Sequence, residues 1–66
     1  MEIVLNGKTM EVSETTSVAE LLKFHKLELA RVAVERNGEI VSRKDFYRTI
    51  LAAHDRLEIV TLVGGG

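Results

Sequence analysis

M-E-I-V-L-N-G-K-T-M-E-V, residues 1–12, is the stretch on which the fold turns. Met1, Ile3 and Leu5 alternate with Glu2, Val4 and Asn6, the two-residue period of a strand with one face buried. Asn6-Gly7 follows. Both central positions of a type I′ turn need positive φ, which Asn and Gly tolerate. Lys8 to Val12 alternates again, with Met10 and Val12 on one face. The chain therefore opens with a β-hairpin. Next comes a polar break, Ser13 to Ser17, and Ser17-Val18-Ala19-Glu20 fits a capping box. Val18, Leu21, Leu22 and His25 then fall at i, i+3, i+4 and i+7, which predicts one buried helix face with His25 half-buried on it. No Gly marks the helix stop. Lys23 and Lys26 suit its negative end, and Leu27 and Leu29 are expected to tuck the exit against the core.

Val32-Ala33-Val34-Glu35 reads as a strand with Val32 and Val34 inward. Asn37-Gly38 repeats the hairpin signal, and Glu39-Ile40-Val41 returns. Ser42 to Thr49 reads as a loop or single helical turn with Phe46 buried. Ile50 and Leu51 read as a short edge strand, and His54-Asp55 as a turn. Leu57 to Val63 is the last strand, with Leu57, Ile59, Thr61 and Val63 on one face and Glu58, Val60 and Leu62 on the other. The order is β-β-α-β-(β)-β. In a chain this short, one mixed sheet with one main helix on one face is the economical packing. A right-handed crossover that brings the terminal strands together in parallel gives an α+β fold, the β-grasp or ubiquitin-like roll. Residues 1–63 form that domain, and 64–66 are expected to be a flexible tail.

Composition sets limits on function. The chain has 66 residues, no Cys, no Pro, and a net charge of −1 from 9 Lys plus Arg against 10 Asp plus Glu. Without Cys there are no disulfides, thiolate zinc sites or catalytic thiol. A domain of this size buries about 60% of its unfolded surface, which leaves little room for an internal active site. A carrier or binding module fits better than an enzyme. There is no basic excess for nucleic acid, and no apolar run of membrane-spanning or signal-peptide length. A cytoplasmic location and a chain that is monomeric alone are expected. His25 and His54 stand in no ligand spacing, so no metal site is expected.

The end of the chain carries the chemistry. Gly64-Gly65-Gly66 follows a strand directly. A Gly run of this kind is also found as an expression scar or linker stub. Behind a ubiquitin-like order of elements, however, it has a use. Extended, it reaches about 10 Å past the sheet, thin enough to enter another protein's active site.

The chain also resembles the ThiS family of small sulfur carriers of thiamin biosynthesis. The resemblance rests on Ile3 to Gly7 (I-V-L-N-G), Ser17 to Leu22 (S-V-A-E-L-L), Val32 to Val41 (V-A-V-E-R-N-G-E-I-V), Asp55, Leu57 to Val60 (L-E-I-V) and the Gly65-Gly66 end. It departs at Ser42, where the family often has Pro, at His54, where Gly is usual, and at Phe46, often Trp. The resemblance implies that an ATP-dependent, ThiF-like enzyme adenylates the Gly66 carboxylate. A cysteine desulfurase system would then supply sulfur, and the Gly66 thiocarboxylate would pass it to a ThiG-like thiazole synthase. This chain would bind no cofactor itself, ATP and Mg²⁺ being used by the activating enzyme. Gly64 and Gly65 would form the tail. Glu58, Val60 and Leu62, on the sheet face away from the helix, would dock the partners. Alternatives are the small subunit of molybdopterin synthase, which shares fold and tail chemistry but usually has Pro before its Gly-Gly, a ubiquitin-like modifier, and an interaction module with an inert tail.

Overall fold

The computed structural model describes residues 1–62; Val63 and the expected tail, Gly64 to Gly66, lie outside the described residues. Strands β1 (Glu2–Leu5) and β2 (Lys8–Glu11) form the opening hairpin, with Ile3 opposite Met10 and Leu5 opposite Lys8. Asn6 and Gly7 have φ of 48° and 83°, the type I′ turn that the sequence signals. Helix α1 (Val18–Phe24) starts with the expected capping box. The Glu20 N–H donates to Ser17 Oγ at 3.1 Å, and the Ser17 N–H donates to Glu20 Oε1 at 2.9 Å.

The helix ends at Phe24, short of the His25 and Lys26 that its apolar spacing and end charges include. Lys26 takes the left-handed conformation at φ 59°, its N–H donates to the Lys23 carbonyl, and the Leu27 N–H donates to the Leu22 carbonyl, both at 2.9 Å. These are the two bonds of a Schellman stop, with Lys in the place usually held by Gly, at a cost of about 1 kcal/mol. His25 is therefore an exposed C-cap residue and not part of the buried face. Leu27 covers the helix end instead, and both Leu27 and Leu29 pack against the core as expected.

A short 3₁₀ turn (Leu29–Arg31) leads into β3 (Val32–Arg36), which pairs antiparallel with β4 (Glu39–Val41) through a second type I′ turn, Asn37-Gly38, with φ of 52° and 86°. A second 3₁₀ turn, Arg43–Asp45, buries Phe46. Ile50-Leu51 does not form the expected edge strand. Ile50 makes a single bridge to Ser17, and the segment runs beside the start of α1. There the carbonyls of Thr49 and Phe46 accept from the N–H groups of Val18 and Ala19, each at 2.9 Å. Those donors have no partner inside the helix, so the segment is used at the helix start and is unavailable to the sheet.

The last strand, β5 (Arg56–Thr61), lies between β1 and β3 in the order β2-β1-β5-β3-β4. It is parallel to β1 and antiparallel to β3, as the β-grasp roll requires. The α1 side of the sheet carries the core: Ile3, Val34 and Leu57 from the strands, Val18, Leu21 and Leu22 from the helix, with Phe46 and Leu51 closing it. No helix of the described residues is long and apolar enough to cross a membrane.

Candidate functional site: the exit of the last strand

The candidate site is where β5 leaves the sheet, so the groups that hold β5 come first. At its start stands Asp55, 5% exposed. Its carboxylate accepts from Arg36 Nε at 2.7 Å, Asn37 Nδ2 at 3.0 Å and the Ala52 N–H at 2.8 Å. Burial alone raises a carboxyl pKa. Here the Ala52 N–H, the Asn37 amide and the Arg36 guanidinium outweigh burial and hold Asp55 below its ordinary value. Asn37 completes the clamp. Its N–H donates to the Arg56 carbonyl at 2.8 Å, and its Oδ1 accepts the Arg56 N–H at 2.9 Å.

Asn6 does the same on the other flank. Its backbone N–H donates to the Leu57 carbonyl at 2.8 Å. Its side chain then reaches one step further: Oδ1 accepts the Ile59 N–H at 2.8 Å, and Nδ2 donates to the Ile59 carbonyl at 3.2 Å. A primary amide has a donor and an acceptor side by side, as a peptide unit does. Asn6 thus continues the β1–β5 ladder past the point where β1 turns away. Sequence reasoning found both Asn residues as turn formers and missed this second role. A signal was present. Gly or Asp can fill the same turn position, but only Asn offers both hydrogen-bonding groups.

Of the last strand expected over residues 57–63, β5 covers Arg56–Thr61, and its alternation falls as expected up to Val60; Thr61, expected inward, is exposed, and Val63 lies outside the described residues. Leu57 is buried and Ile59 packs against the core, while Val60 is 59% and Leu62 46% exposed. Glu58, Val60 and Leu62 thus share the face away from α1. The structure adds neighbours that the strand alone could not show. Glu35 stands opposite Glu58, Ala33 opposite Val60, and Ile40, opposite Glu35 on β4, is 70% exposed. Two carboxylates directly opposite repel each other, and among the described residues neither is in an ion pair. The result is an apolar patch around an acidic pair, beside the strand's exit.

The remaining candidates are dispersed. His54, at φ 70°, is an exposed turn residue with Nδ1 4.0 Å from Glu2 Oε1, and His25 lies on the helix side. Among the described residues no three His, Asp or Glu side chains stand together to hold a metal. An apolar groove lined by Met10, Val12, Leu21 and Phe24 runs between β2 and α1, away from β5. The residues expected to be modified or to form the tail, Gly64, Gly65 and Gly66, lie outside the described residues.

The ThiS family model matches residues 3–66. The chain belongs to the ThiS family. It is 40% identical over 63 residues to the sulfur carrier protein ThiS of Bacillus subtilis, covering 94% of this chain and 96% of that one. It is also 38% identical over its whole length to a thiazole synthase of Paramagnetospirillum magneticum, of which it spans only about a fifth (20%). A crystal structure of a thiamine biosynthesis protein (ThiS) from Geobacter metallireducens matches with a TM-score of 0.84 and 36% identity over 100% of both chains. At the level of the family, the chain is a small sulfur carrier protein of thiamin biosynthesis.

Proposed function

We propose that sulfur is carried on the main-chain carboxyl of Gly66. A carboxylate resists attack because attack adds a second negative charge. An adenylating partner of the ThiF type removes that obstacle: the Gly66 carboxylate attacks the α-phosphate of ATP, pyrophosphate leaves, and an acyl-adenylate forms. Mg²⁺ bound by the partner offsets phosphate charge. A persulfide from a cysteine desulfurase system attacks the acyl carbon and expels AMP. Cleavage of the resulting acyl disulfide by a thiol leaves a thiocarboxylate on Gly66 and a disulfide on the donor. The thiocarboxylate, an anion at neutral pH and a good sulfur nucleophile, then serves a thiazole synthase. That two bacterial thiazole synthases contain a segment similar to this whole chain supports such an enzyme as partner.

This chain contributes presentation, and no acid or base of its own. Docking free energy held on the folded body places the tail where the partner's groups act. Glu58, Val60 and Leu62 form the docking patch, joined by Glu35 and Ile40. Gly64 and Gly65 let the partner's backbone and nucleotide approach without side-chain clash. One observation carries the reading: β5, the strand that leads into the three Gly, is held at both flanks by Asn6 and by the Asn37–Asp55 clamp. The strand that precedes the tail in sequence is thus fixed beside an exposed patch. Family membership and the absence of Pro favour this role over that of a molybdopterin-synthase subunit. The test is removal of Gly66. In a reconstituted system with activating enzyme, ATP, sulfur donor and thiazole synthase, the full chain supports thiazole formation and the chain lacking Gly66 does not. Thiazole formation by the shortened chain would overturn the proposal.

A further inference from the structure

The backbone of β5 is paired on both sides only up to Ile59. Along the strand, N–H and C=O groups of successive residues point to opposite flanks. The β3 flank receives Arg56, Glu58, Val60 and Leu62: the Asn37 N–H donates to the Arg56 carbonyl at 2.8 Å, and the Leu62 N–H donates to the Arg31 carbonyl at 2.7 Å. The β1 flank receives Leu57, bonded to the Asn6 N–H, and Ile59, bonded to the Asn6 side chain. Thr61 is next on that flank. By then β1 has turned back at Asn6-Gly7, and among the described residues no strand lies beside Thr61 there. The strand thus reaches its exit with one flank held by β3 and the other open, and the chain continues from it into Val63 and the three Gly.

Resting on the carrier reading above, we propose that the open flank of β5 at Thr61 is a strand-addition site, taken by an extended segment of the adenylating partner. Three observations favour that occupant. The open flank is on the strand that, in the carrier reading, delivers the tail, so a segment bound at Thr61 lies next to the last described residues before it. A Gly tail offers a partner only its backbone, and strand addition is recognition by backbone hydrogen bonds. The Val60 and Leu62 side chains stand on the exposed sheet face immediately beside Thr61, so a segment paired there is covered by the same apolar contact. An open strand flank is otherwise a liability in a small protein, since it invites pairing with any free strand.

The test removes one donor and leaves the β3–β5 ladder in place. Thr61→Pro deletes the N–H that faces the open flank, while Val60 and Leu62 keep their bonds to β3. Thr9→Pro is the control. The Val12 N–H donates to the Met1 carbonyl at 2.9 Å, so by alternation the N–H groups of Met10 and Lys8 face β1 and that of Thr9, opposite Val4, points to the sheet's other free edge, on β2, far from the tail. The readouts are the affinity of the chain for an adenylating enzyme active on it, the KM for the chain in ATP–pyrophosphate exchange, and amide hydrogen exchange at Val60, Leu62 and Ala33. Thr61→Pro is expected to weaken binding about tenfold and to raise KM by a similar factor, with those amides still protected and Thr9→Pro binding as the parent chain does. Should Thr61→Pro open the ladder, an amide-to-ester replacement at Thr61 removes the same N–H and keeps the side chain, and the same loss is expected. Unchanged affinity in a folded Thr61→Pro or ester chain overturns the proposal. So does a concentration-dependent dimer of the parent chain that Thr61→Pro abolishes, because the flank would then belong to a second copy. A parent chain that is never adenylated overturns the carrier reading itself, and that failure is separate because it needs no substitution.

Discussion

At Asp55 three donors converge on one buried carboxylate, and that convergence fixes how the domain responds to acid. The pKa is lowered in the folded chain from an ordinary 3.8, so the folded state binds this proton less readily than the unfolded state. Stability from this group is therefore fully present above about pH 4 and is lost as pH falls through the lower, folded value. Asp55→Asn is expected to cost about 2–3 kcal/mol at neutral pH. It leaves the Arg36 guanidinium without its charge partner and aims an amide where three donors already point. Thermal unfolding would show a midpoint lower by about 10–20 °C, and a flatter dependence on pH below 4 than in the parent chain. A parent-like midpoint would refute the role. Sequence placed Asp55 only in a turn. Its burial depends on Arg36 and Asn37, nineteen and eighteen residues away, and no local pattern encodes that distance. His54 is the converse: its place in a turn is visible in sequence, and its φ of 70° is the left-handed conformation that Gly adopts without strain.

Among the elements, the hairpins, the capping box and the inward faces of β3 and β5 were legible because each depends on a few adjacent residues with one physical need. The helix stop was not, because Lys26 carries no mark of the left-handed conformation it adopts. Nor was the use of Ile50-Leu51, whose strand-like side chains are overridden by the N–H groups of Val18 and Ala19 that the neighbouring carbonyls satisfy. The ladder-extending amide of Asn6 gives the element-scale prediction. Asn6→Gly keeps the type I′ turn and removes only the side-chain bonds to Ile59. The hairpin should persist, stability should fall by about 1 kcal/mol, and the Ile59 amide should exchange hydrogen faster by about tenfold or less. Unchanged exchange at Ile59 would show that the bridge contributes nothing to holding β5.

For the whole molecule, the order of elements alone was enough to place β1 and β5 side by side, because so short a chain has few ways to cover one sheet with one helix. The docking face was half legible. Alternation put Glu58, Val60 and Leu62 outward, but Glu35 and Ile40 join them only through the pairing of β3 with β4 and β5. Replacing Val60 and Leu62 together by Asp should weaken binding of the activating enzyme about a hundredfold or more while the thermal midpoint moves little, since both side chains are exposed in the free chain. Unchanged binding would mark the patch as incidental. The central claim, that Gly66 is the sulfur-bearing group, has a direct test in intact-mass spectrometry of the chain after incubation with an activating enzyme, ATP and a sulfur donor. An AMP adduct is expected when the donor is withheld. With the donor present, the expected result is a mass gain of one sulfur-for-oxygen exchange that maps to Gly66. An unchanged mass, with an enzyme shown to be active on another carrier, or a sulfur found anywhere but Gly66, would contradict it.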